Sequence, residues 1–582
     1  MFFKTLFDEQ WYAIGILLLE QSARSTLFSL VRVNKRFYEI FLPLVYRRCT
    51  LRFTAYGARK RHSNSDTQLR ILRFLERDPD DLVFRAIRNL TIFSTKSDDP
   101  QRRGQLIGGI NWTPLIEFIR RLKRLEIVTF DCPESVPLDL LTVLEEYHPS
   151  SHLHVRNWTR KSRDVRVGDP HEEALARSAC LRSIDGDLEE SEYKPINTNE
   201  AAFRRIVALA PNIECASLKS HISQDWSYSA RLTDEDREEQ ELERTRLEIA
   251  GSWRRKTLKK LGWNEIRPAT IKQLEKNFNL EALDALDAGL FHRVGIRYAI
   301  EHDTFQRLRH LSFEIPSWES SVPNDGQLNI MDFICSLSNL QSLSVTNHIE
   351  HIDLPTLFQY HGSSLRSLSL HEIEDPEHNR RSLAPAEITH IQFDAPNLEA
   401  LTMDMNRNRD PTDVYAALSM FKRLRQLTLQ YDLGLVRRYG PYCRPDDDIY
   451  KDVDASFAEA AWESITRGGR GGGACYNRTL DKLTVNIGEQ QRQLNAAENP
   501  PDWVLHERRA RRQFDVMRNQ RDDEPDGVSV FRHRDSTDED REAEARKQAD
   551  FVAGLLGIIF LRPGPGPLGD GESESGLLND SD

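Results

Sequence analysis

The stretch Leu340-Gln341-Ser342-Leu343-Ser344-Val345 has apolar side chains at its first, fourth and sixth positions, and this spacing recurs along most of the 582-residue chain. Clear copies begin 32, 25, 33 and 26 residues apart, at Leu308, Leu340, Leu365, Leu398 and Leu424. Looser copies begin at Ile87, Leu122, Ile213, Leu258 and Leu480, and weaker candidates are Leu153-Val155 and Leu181-Ile184. A spacing that returns this often indicates a repeat architecture.

The spacing within each copy predicts a short β-strand. Successive side chains of a strand point to opposite faces, so the second and third apolar residues enter one core while the first closes the preceding turn. A single copy buries little apolar surface. Stacked side by side, the strands would form a parallel ladder with one continuous core.

The segments between the copies predict helices and repeated turns. Ala201–Ala210 and Ile330–Leu337 carry apolar residues three and four positions apart, as helices packed behind the strands should. Ala210-Pro211-Asn212 and Ala395-Pro396-Asn397 each lead into a copy. Because proline ends the preceding segment in both, we interpret them as equivalent junctions of one repeat.

This pattern resembles the leucine-rich repeat family over roughly residues 84–487. The resemblance implies an α/β, leucine-rich-repeat-like solenoid, in which a parallel strand ladder is backed by convex helices. The units are longer and less even than the usual length of about 20–29 residues. The asparagine or cysteine that follows the three leucines in the family is matched only by Asn406, with Asp432 a near match. We therefore expect an irregular horseshoe; the alternative is an ordinary α/β domain with amphipathic segments.

The first fifty residues have a different pattern, which predicts a small all-α module. An apolar helix is predicted through Ile14 and Leu19. A second helix is predicted over Thr26–Tyr38, because apolar residues recur three and four positions apart, namely at Leu27, Leu30, Val33 and Phe37.

This module and the trailing stretch 43–51 resemble an F-box of the form common in filamentous fungi. F-boxes normally open with Leu-Pro, whereas Phe7 follows Leu6 here. The resemblance implies binding to the Skp-type adaptor of a cullin ubiquitin ligase, with buried adaptor contacts at Leu6, Leu27, Leu30, Val33 and Phe37. The alternative is that these helices only cap the open end of the repeat array.

The composition of the chain limits which partners it is expected to bind and in which compartment it is expected to lie. The net charge is −12, from 79 basic and 91 acidic residues, so we expect no nucleic-acid partner and no membrane partner. The run Ala549–Leu561 is too short for the roughly 20 residues of a membrane span. Seven scattered cysteines without a Cys-x-x-Cys pair, and no evident signal peptide, predict reduced thiols and a cytoplasmic or nuclear location.

The same reasoning divides the chain into segments. We expect an F-box-like module over 1–50, a linker over 51–83 and the repeat solenoid over 84–490, with charged or glycine-rich insertions near 225–255 and 437–476. Residues 491–562 are predicted to be a charged extension that ends in a capping helix. The Gly/Pro-rich acidic residues 563–582 are predicted to be disordered.

Sequence motifs for catalysis or metal binding are missing. No nucleophile elbow, His-Glu-x-x-His or phosphate-binding glycine motif occurs, so we expect the chain not to be an enzyme and to need no cofactor. The pairs His348/His351 and His152/His154 lack further ligands at metal-site spacing, and we predict no metal. A catalytic site assembled from distant residues of a divergent α/β fold remains the alternative.

Residues that alternate with the buried ones should form an exposed face. The side chains in the middle row of this face are small and carry hydroxyl groups, as at Ser312, Ser344 and Ser369. Variable polar residues flank this row, and a partner would be recognised there. We therefore predict substrate contacts at His310, Glu314, Thr346, His371, Asp404, Gln430 and Asn486.

Taken together, these features predict the substrate-recognition subunit of an SCF-type cullin ubiquitin ligase. The first helices would bind the Skp-type adaptor and, through it, the cullin scaffold. The repeats would bind a protein substrate of unknown identity. The alternative is a repeat scaffold for protein–protein interaction that has no ligase association.

Overall fold

The computed structural model describes residues 7–20, 24–54, 63–95, 111–132, 135–159, 169–188, 198–220, 255–315, 330–373, 380–406, 410–432, 455–467, 479–487, 512–518 and 528–533. The chain divides into two compact units, Met1–Arg532 and His533–Asp582. Within the second unit, only His533 is described. Leu6, the capping helix and the tail predicted above lie outside the described residues.

Sixteen strands of the described residues form one sheet, and their spatial order follows the chain. The strands are β1 (Arg48–Thr54), β2 (Asn89–Thr95), β3 (Ile127–Asp131), β4 (His152–Trp158), β5 (Leu181–Leu188), β6 (Cys215–Ser220), β7 (Lys260–Ile266), β8 (Ala285–Phe291), β9 (His310–Glu314), β10 (Ser342–Thr346), β11 (Ser367–His371), β12 (Ala400–Met405), β13 (Gln426–Tyr431), β14 (Lys482–Ile487), β15 (Arg512–Arg518) and β16 (Val528–His533).

Helices precede the sheet and alternate with its strands. They are α1 (Asp8–Glu20), α2 (Arg24–Val31), α3 (Lys35–Tyr46), α4 (Ser63–Leu75), α5 (Leu82–Ala86), α6 (Thr113–Arg121), α7 (Leu138–Tyr147), α8 (Pro170–Arg177), α9 (Thr198–Leu209), α10 (Pro268–Asn277), α11 (Arg293–Glu301), α12 (Ile330–Ser336), α13 (Leu354–His361), α14 (Pro385–Asp394), α15 (Thr412–Ser419) and α16 (Ala455–Arg467). Short 3-10 helices span Leu280–Ala282 and Ile349–His351. The predicted helices near residues 201–210 and 330–337 are confirmed.

Strands β1 to β14 are parallel to their neighbours, and β15 pairs antiparallel with β14. A parallel connection through a helix is almost always right-handed. Because the strand order never reverses, such connections place the helices on one face of the sheet. Burial agrees with this, since buried and half-buried residues alternate along β10 and β11. The chain is therefore α/β and solenoid-like, with one covered face and one open face.

The register of the strands confirms most of the predicted copies. Leu311, Leu343 and Leu368 are cross-strand neighbours, and Phe313, Val345 and Leu370 form the next buried row. All six are at most 3% exposed. The copy placed at Leu122-Leu125-Ile127 was wrong by three residues, because Val128 and Phe130 are the buried neighbours of Leu90 and Ile92.

The sheet contains strands that the sequence did not predict. Segment 51–83 is not a plain linker, because it contains most of β1 and all of α4. Strand β8 was missed since alanine occupies its third apolar position. Ala288 lies between Trp263 and Phe313 in the register, so large neighbours fill the space that its small side chain leaves. Strands β15 and β16 fall within the predicted charged extension.

The two predicted junctions are structurally equivalent. The Asn212 side-chain amide donates to the carbonyl of Ala179, and that of Asn397 donates to the carbonyl of Ser363, each at 2.8 Å. Both contacts reach back to the turn that precedes the previous strand. Each asparagine thus ties its unit to the preceding one, which supports the interpretation that the two are equivalent junctions of one repeat.

Just before most of the parallel strands, one main-chain carbonyl accepts hydrogen bonds from two successive amides of the next unit. The Arg366 carbonyl accepts from Glu399 N at 2.7 Å and from Ala400 N at 2.9 Å. From β5 to β14 the side chains at this position alternate in charge, with one neutral residue. This alternating row consists of Arg182, Glu214, Lys259, Asp284, Arg309, Gln341, Arg366, Glu399, Arg425 and Asp481.

Ion pairs join neighbours in the alternating row. Glu214 and Lys259 are 2.6 Å apart, Asp284 and Arg309 are 3.5 Å apart, and Arg366 and Glu399 are 3.0 Å apart. The hydrogen bond from Lys259 lowers the pKa of Glu214. Each exposed ion pair contributes little to stability. A strand order that skipped one unit would, however, place like charges of the row side by side. The row therefore favours the observed strand order.

Two buried histidines link successive helices. His148 Nε2 lies 2.9 Å from the Ile119 carbonyl of α6, and His361 Nε2 lies 2.8 Å from the Ile334 carbonyl of α12. Burial lowers the pKa of both imidazoles, although these hydrogen bonds oppose the effect. The folded chain therefore holds both rings neutral.

The three amino-terminal helices have a small core of their own. Trp11, Leu27, Phe41 and Leu44 are buried in it, and the Phe37 ring lies 4.8 Å from Trp11 and 5.3 Å from Phe41. The predicted second helix is interrupted, because Asn34 Oδ1 accepts a hydrogen bond from Phe37 N at 2.8 Å and starts α3. Leu42 of α3 belongs to the main core, so this helix joins the module to the sheet.

No helix within the described residues combines the length and apolar character required to cross a bilayer.

The described cysteines, Cys49, Cys132, Cys180, Cys215 and Cys335, are not paired in disulfides. Burial raises the pKa of Cys180. This thiol therefore behaves as a small apolar core residue and is a poor nucleophile.

Replacing Glu399 by Lys should place three neighbouring cations in the alternating row. We expect Glu399→Lys to be less stable than Glu399→Gln, by about 1 kcal/mol at most, because the pairs are exposed. Urea unfolding at low salt measures the difference, and about 1 M salt should largely remove it. Equal stability of both variants at low salt would show that the row does not influence strand pairing.

The neutral histidines predict acid sensitivity. The unfolded chain binds more protons than the folded chain below the ordinary histidine pKa of about 6.5, so stability falls as pH falls through that value. The double variant His148→Gln/His361→Gln retains amide donors and should lose less stability between about pH 7 and pH 5. Thermal unfolding at several pH values tests this; identical pH profiles for the variant and the unaltered chain would contradict it.

Candidate functional site

The open face of β9 to β14 has two rows of polar side chains. The first, which we call the hydroxyl row, is continuous in the register and comprises Ser312, Ser344, Ser369, Thr402, Thr428 and Thr484. The second, which we call the end row, lies two residues further along each strand. It comprises Glu314, Thr346, His371, Asp404, Gln430 and Asn486.

The end row contains six of the seven residues predicted as substrate contacts. Thr346 pairs in register with Glu314 and His371, and Gln430 pairs with Asp404 and Asn486. His310 is separate, because it begins β9 and pairs with Ser342. Four residues separate it from Glu314, which corresponds to about 13 Å along a strand. These positions remain predicted contacts.

Asp404 is the centre of the polar contacts at the end row. Its carboxylate accepts a hydrogen bond from Glu372 N at 2.6 Å and lies 2.8 Å from His371 Nδ1. The Arg380 guanidinium is 3.6 Å away, and its side chain is only 3% exposed. Arg380 also donates to the Gln430 carbonyl at 3.5 Å. Asp404 therefore holds Glu372 and Arg380 at the strand ends.

Asn347 fixes the next turn in a similar way. Its side-chain amide donates to Glu314 at 3.1 Å, and its side-chain oxygen accepts from Ile373 N at 2.9 Å. Its φ of 63° is left-handed, a conformation that asparagine tolerates better than most residues. Asn157, with φ of 54°, likewise donates to Asp131 at 2.5 Å. At both places a left-handed asparagine near the end of a strand thus contacts the acidic residue that ends the preceding strand.

Glu350 and Glu372, in the turns that follow β10 and β11, form a pair of acidic residues. The Glu372 carboxyl is within hydrogen-bonding reach of Glu350, and it accepts from Arg381 N at 2.6 Å. Burial raises the pKa of Glu372, and the nearby Glu350 and Asp404 carboxylates add to this. Burial opposes ionisation of Glu350 as well, but hydrogen bonds from its own amide and His348 lower its pKa overall.

The accessible part of the end row is smaller than the predicted set. Glu314 is 2% exposed and Asp404 is 1% exposed, so both hold the chain's own turns. Thr346, His371, Gln430 and Asn486 are half-buried. These four side chains, with the half-buried part of the hydroxyl row from Ser312 to Thr428 beside them, are the surface that a partner can touch.

Sequence reasoning missed the residues that shape this site. Asn347, Glu372, Arg380 and Arg381 lie in turns after strands, outside the apolar pattern. One signal was available, because Asn157 and Asn347 both follow the alternating residues of a copy. Arg380 carried no such signal, since its partner Asp404 is contributed by the next strand.

The predicted adaptor contacts have different environments. Leu27 is fully buried in the small core, Val33 is 62% exposed, and Leu30 and Phe37 are half-buried. Exposed apolar side chains are frequent in this part of the chain. Among the described residues, five of the fourteen large apolar side chains classed as exposed are here, namely Phe7, Tyr12, Leu17, Phe28 and Val33.

Comparisons with known proteins add no assignment. No protein-family model matches the chain, and no curated protein matches it. The functional argument therefore depends on the residues and on the geometry described above.

Removing the Asp404 carboxylate should destabilise the chain. Asp404→Ala leaves the buried Arg380 without this counter-charge and the Glu372 amide without its acceptor, which predicts a loss of about 3 kcal/mol. Asp413→Ala, at an exposed position of α15, is the control and should change stability little. Chemical unfolding measures both variants; equal stability would contradict the central role of Asp404.

Proposed function

We propose that this chain is the non-catalytic substrate-recognition subunit of an SCF-type cullin ubiquitin ligase. In this proposal α1 to α3 bind a Skp-type adaptor, which connects them to the cullin scaffold. The open face of the sheet binds a protein substrate. The proposal includes two family resemblances. The amino-terminal helices resemble an F-box, and the strand ladder resembles leucine-rich repeats.

The observation that carries the proposal is the apolar surface of the amino-terminal helices. Single exposed apolar residues are ordinary, but five within the first 33 residues are a concentration. Apolar side chains exposed on one small helical module are available for a partner to cover. The small separate core around Trp11 and Phe41 holds these helices folded, so the surface can be presented without the partner.

The open face supports the second half of the proposal. Its hydroxyl row has small side chains, which leave the backbone ladder accessible to a partner. The half-buried polar groups at Thr346, His371, Gln430 and Asn486 flank that row. Polar groups on a rigid ladder recognise a partner without paying a large ordering entropy.

One observation favours the alternative, a protein-interaction scaffold without a ligase. Leu42 of α3 belongs to the main core, and the Tyr46 ring contacts Phe74 of α4 at 6.1 Å between centroids. The amino-terminal helices therefore also cover the start of the sheet. A cap of this kind would be required even if no adaptor were bound.

Val33→Asp tests the proposal with little risk to the fold. Val33 is 62% exposed, so a carboxylate there stays hydrated in the free chain but would be buried unpaired under an adaptor. We expect at least about tenfold weaker binding to a purified Skp-type adaptor, equivalent to about 1.4 kcal/mol. Biolayer interferometry with the full chain measures it.

Val294→Asp is the matched control, because Val294 is 57% exposed on α11. It should bind the adaptor as the unaltered chain does. Phe37→Asp is less suitable, because Phe37 packs against Trp11 and Phe41. If the unaltered chain binds no adaptor, the scaffold alternative replaces the proposal. If Val33→Asp binds normally, the adaptor does not dock on this surface.

A further inference from the structure

Two histidines and a glutamate come together in the turn after β10. His348, Glu350 and His351 each offer one ligand atom, and these atoms all lie within 4.8 Å of one another. His348 has a left-handed φ of 48°, and the 3-10 helix Ile349–His351 follows directly. The sharp turn brings the His348 ring back over Glu350, which a linear reading of the motif does not anticipate.

The distances are close to those around a tetrahedral ion. Zinc binds imidazole nitrogen and carboxylate oxygen at about 2.0–2.2 Å, so two such ligands stand about 3.3 Å apart. His348 Nδ1 is 3.1 Å from Glu350 Oε1, and His351 Nε2 is 4.0 Å from the same oxygen. A movement of less than 1 Å by the His351 ring would bring its contact with Glu350 to this spacing. The two histidine ligand atoms, which lie within 4.8 Å of each other, would have to approach as well.

The His351 ring supplies a second observation that points to a ligand. Its Nε2 is buried, and within the described chain it has no hydrogen-bond partner. Glu350 Oε1, at 4.0 Å, is too distant for a hydrogen bond. A buried ring nitrogen without a partner is costly, and an ion between His351 and Glu350 would satisfy it.

Neighbouring groups hold the turn and provide a further carboxyl group. Glu372 is within hydrogen-bonding reach of Glu350 and is fixed by Arg381 N at 2.6 Å. The Arg381 guanidinium contacts the Ile349 carbonyl at 3.4 Å, while Glu387 balances its charge at 2.9 Å. Arg293 of α11 is the other cation near His351. The Glu350 carboxyl group thus lies with the two histidines, and Glu372 interacts with it from the side of Arg381.

We propose that His348, Glu350 and His351 bind a divalent transition-metal ion, for which zinc is the best match. Two imidazoles and one carboxylate suit zinc better than calcium or magnesium, which prefer oxygen ligands. Glu372 interacts with Glu350 and is placed to orient it, so a water molecule would complete the four ligands. This site replaces the prediction from sequence that these histidines bind no metal, and it does not depend on the proposed ligase function.

Zinc binding by the full chain tests the site. After treatment with a chelator, isothermal titration with zinc chloride should show one site that is lost, or weakened at least tenfold, in His351→Ala and in Glu350→Gln. His390→Ala, at an exposed position of α14, is the control and should keep the site. Failure of the unaltered chain to bind zinc, or equal binding by all the variants, would overturn the proposal.

Two further measurements exclude an effect of misfolding. Zinc should raise the unfolding temperature of the unaltered chain and of His390→Ala, because a ligand that binds only the folded state stabilises it. It should not raise that of Glu350→Gln, whose side chain has nearly the same shape. Cobalt in place of zinc should give visible absorption bands typical of four-coordinate nitrogen and oxygen ligands. Absence of these bands from the unaltered chain would contradict the proposed ligand set.

Discussion

The parallel register of β1 to β14 is the constraint on which the rest of the structure depends. Most of the carbonyls just before a strand accept hydrogen bonds from two amides of the next unit, which fixes these units relative to their neighbours. Because side chains alternate along a strand, a slip by one residue would move the buried leucines to the open face. The continuous core and the two polar rows are therefore consequences of the same hydrogen bonds.

The apolar spacing was sufficient to predict most of the ladder, and its failures have physical causes. Strand β8 was not predicted because Ala288 occupies a position where the pattern requires a large apolar residue. Trp263 and Phe313, from the neighbouring units, fill the core there instead. The register of β3 was misread because Leu122, Leu125 and Ile127 imitate the spacing of Leu125, Val128 and Phe130. The break before α3 was missed since Asn34 acts through one capping hydrogen bond.

The candidate site was predictable only where it follows from alternation along the strands. Residues two positions beyond the hydroxyl row had to form the end row once the strands were parallel. The turns that cover it could not be derived, because Arg380 and Asn347 depend on partners contributed by other units, Asp404 and Glu314. Neither could the compact arrangement of His348 and His351, since it requires a left-handed residue at the turn.

The alternating row also limits how such a chain can change in length during evolution. Loss of the single unit that carries Glu399 would place Arg366 beside Arg425, whereas loss of that unit with its neighbour would keep opposite charges adjacent. Duplication of units is limited in the same way, because only an even number keeps opposite charges adjacent. Units of this ladder are therefore gained or lost most easily in twos, and the alternation stays in phase across the neutral Gln341, which separates Arg309 from Arg366 where an acid is expected.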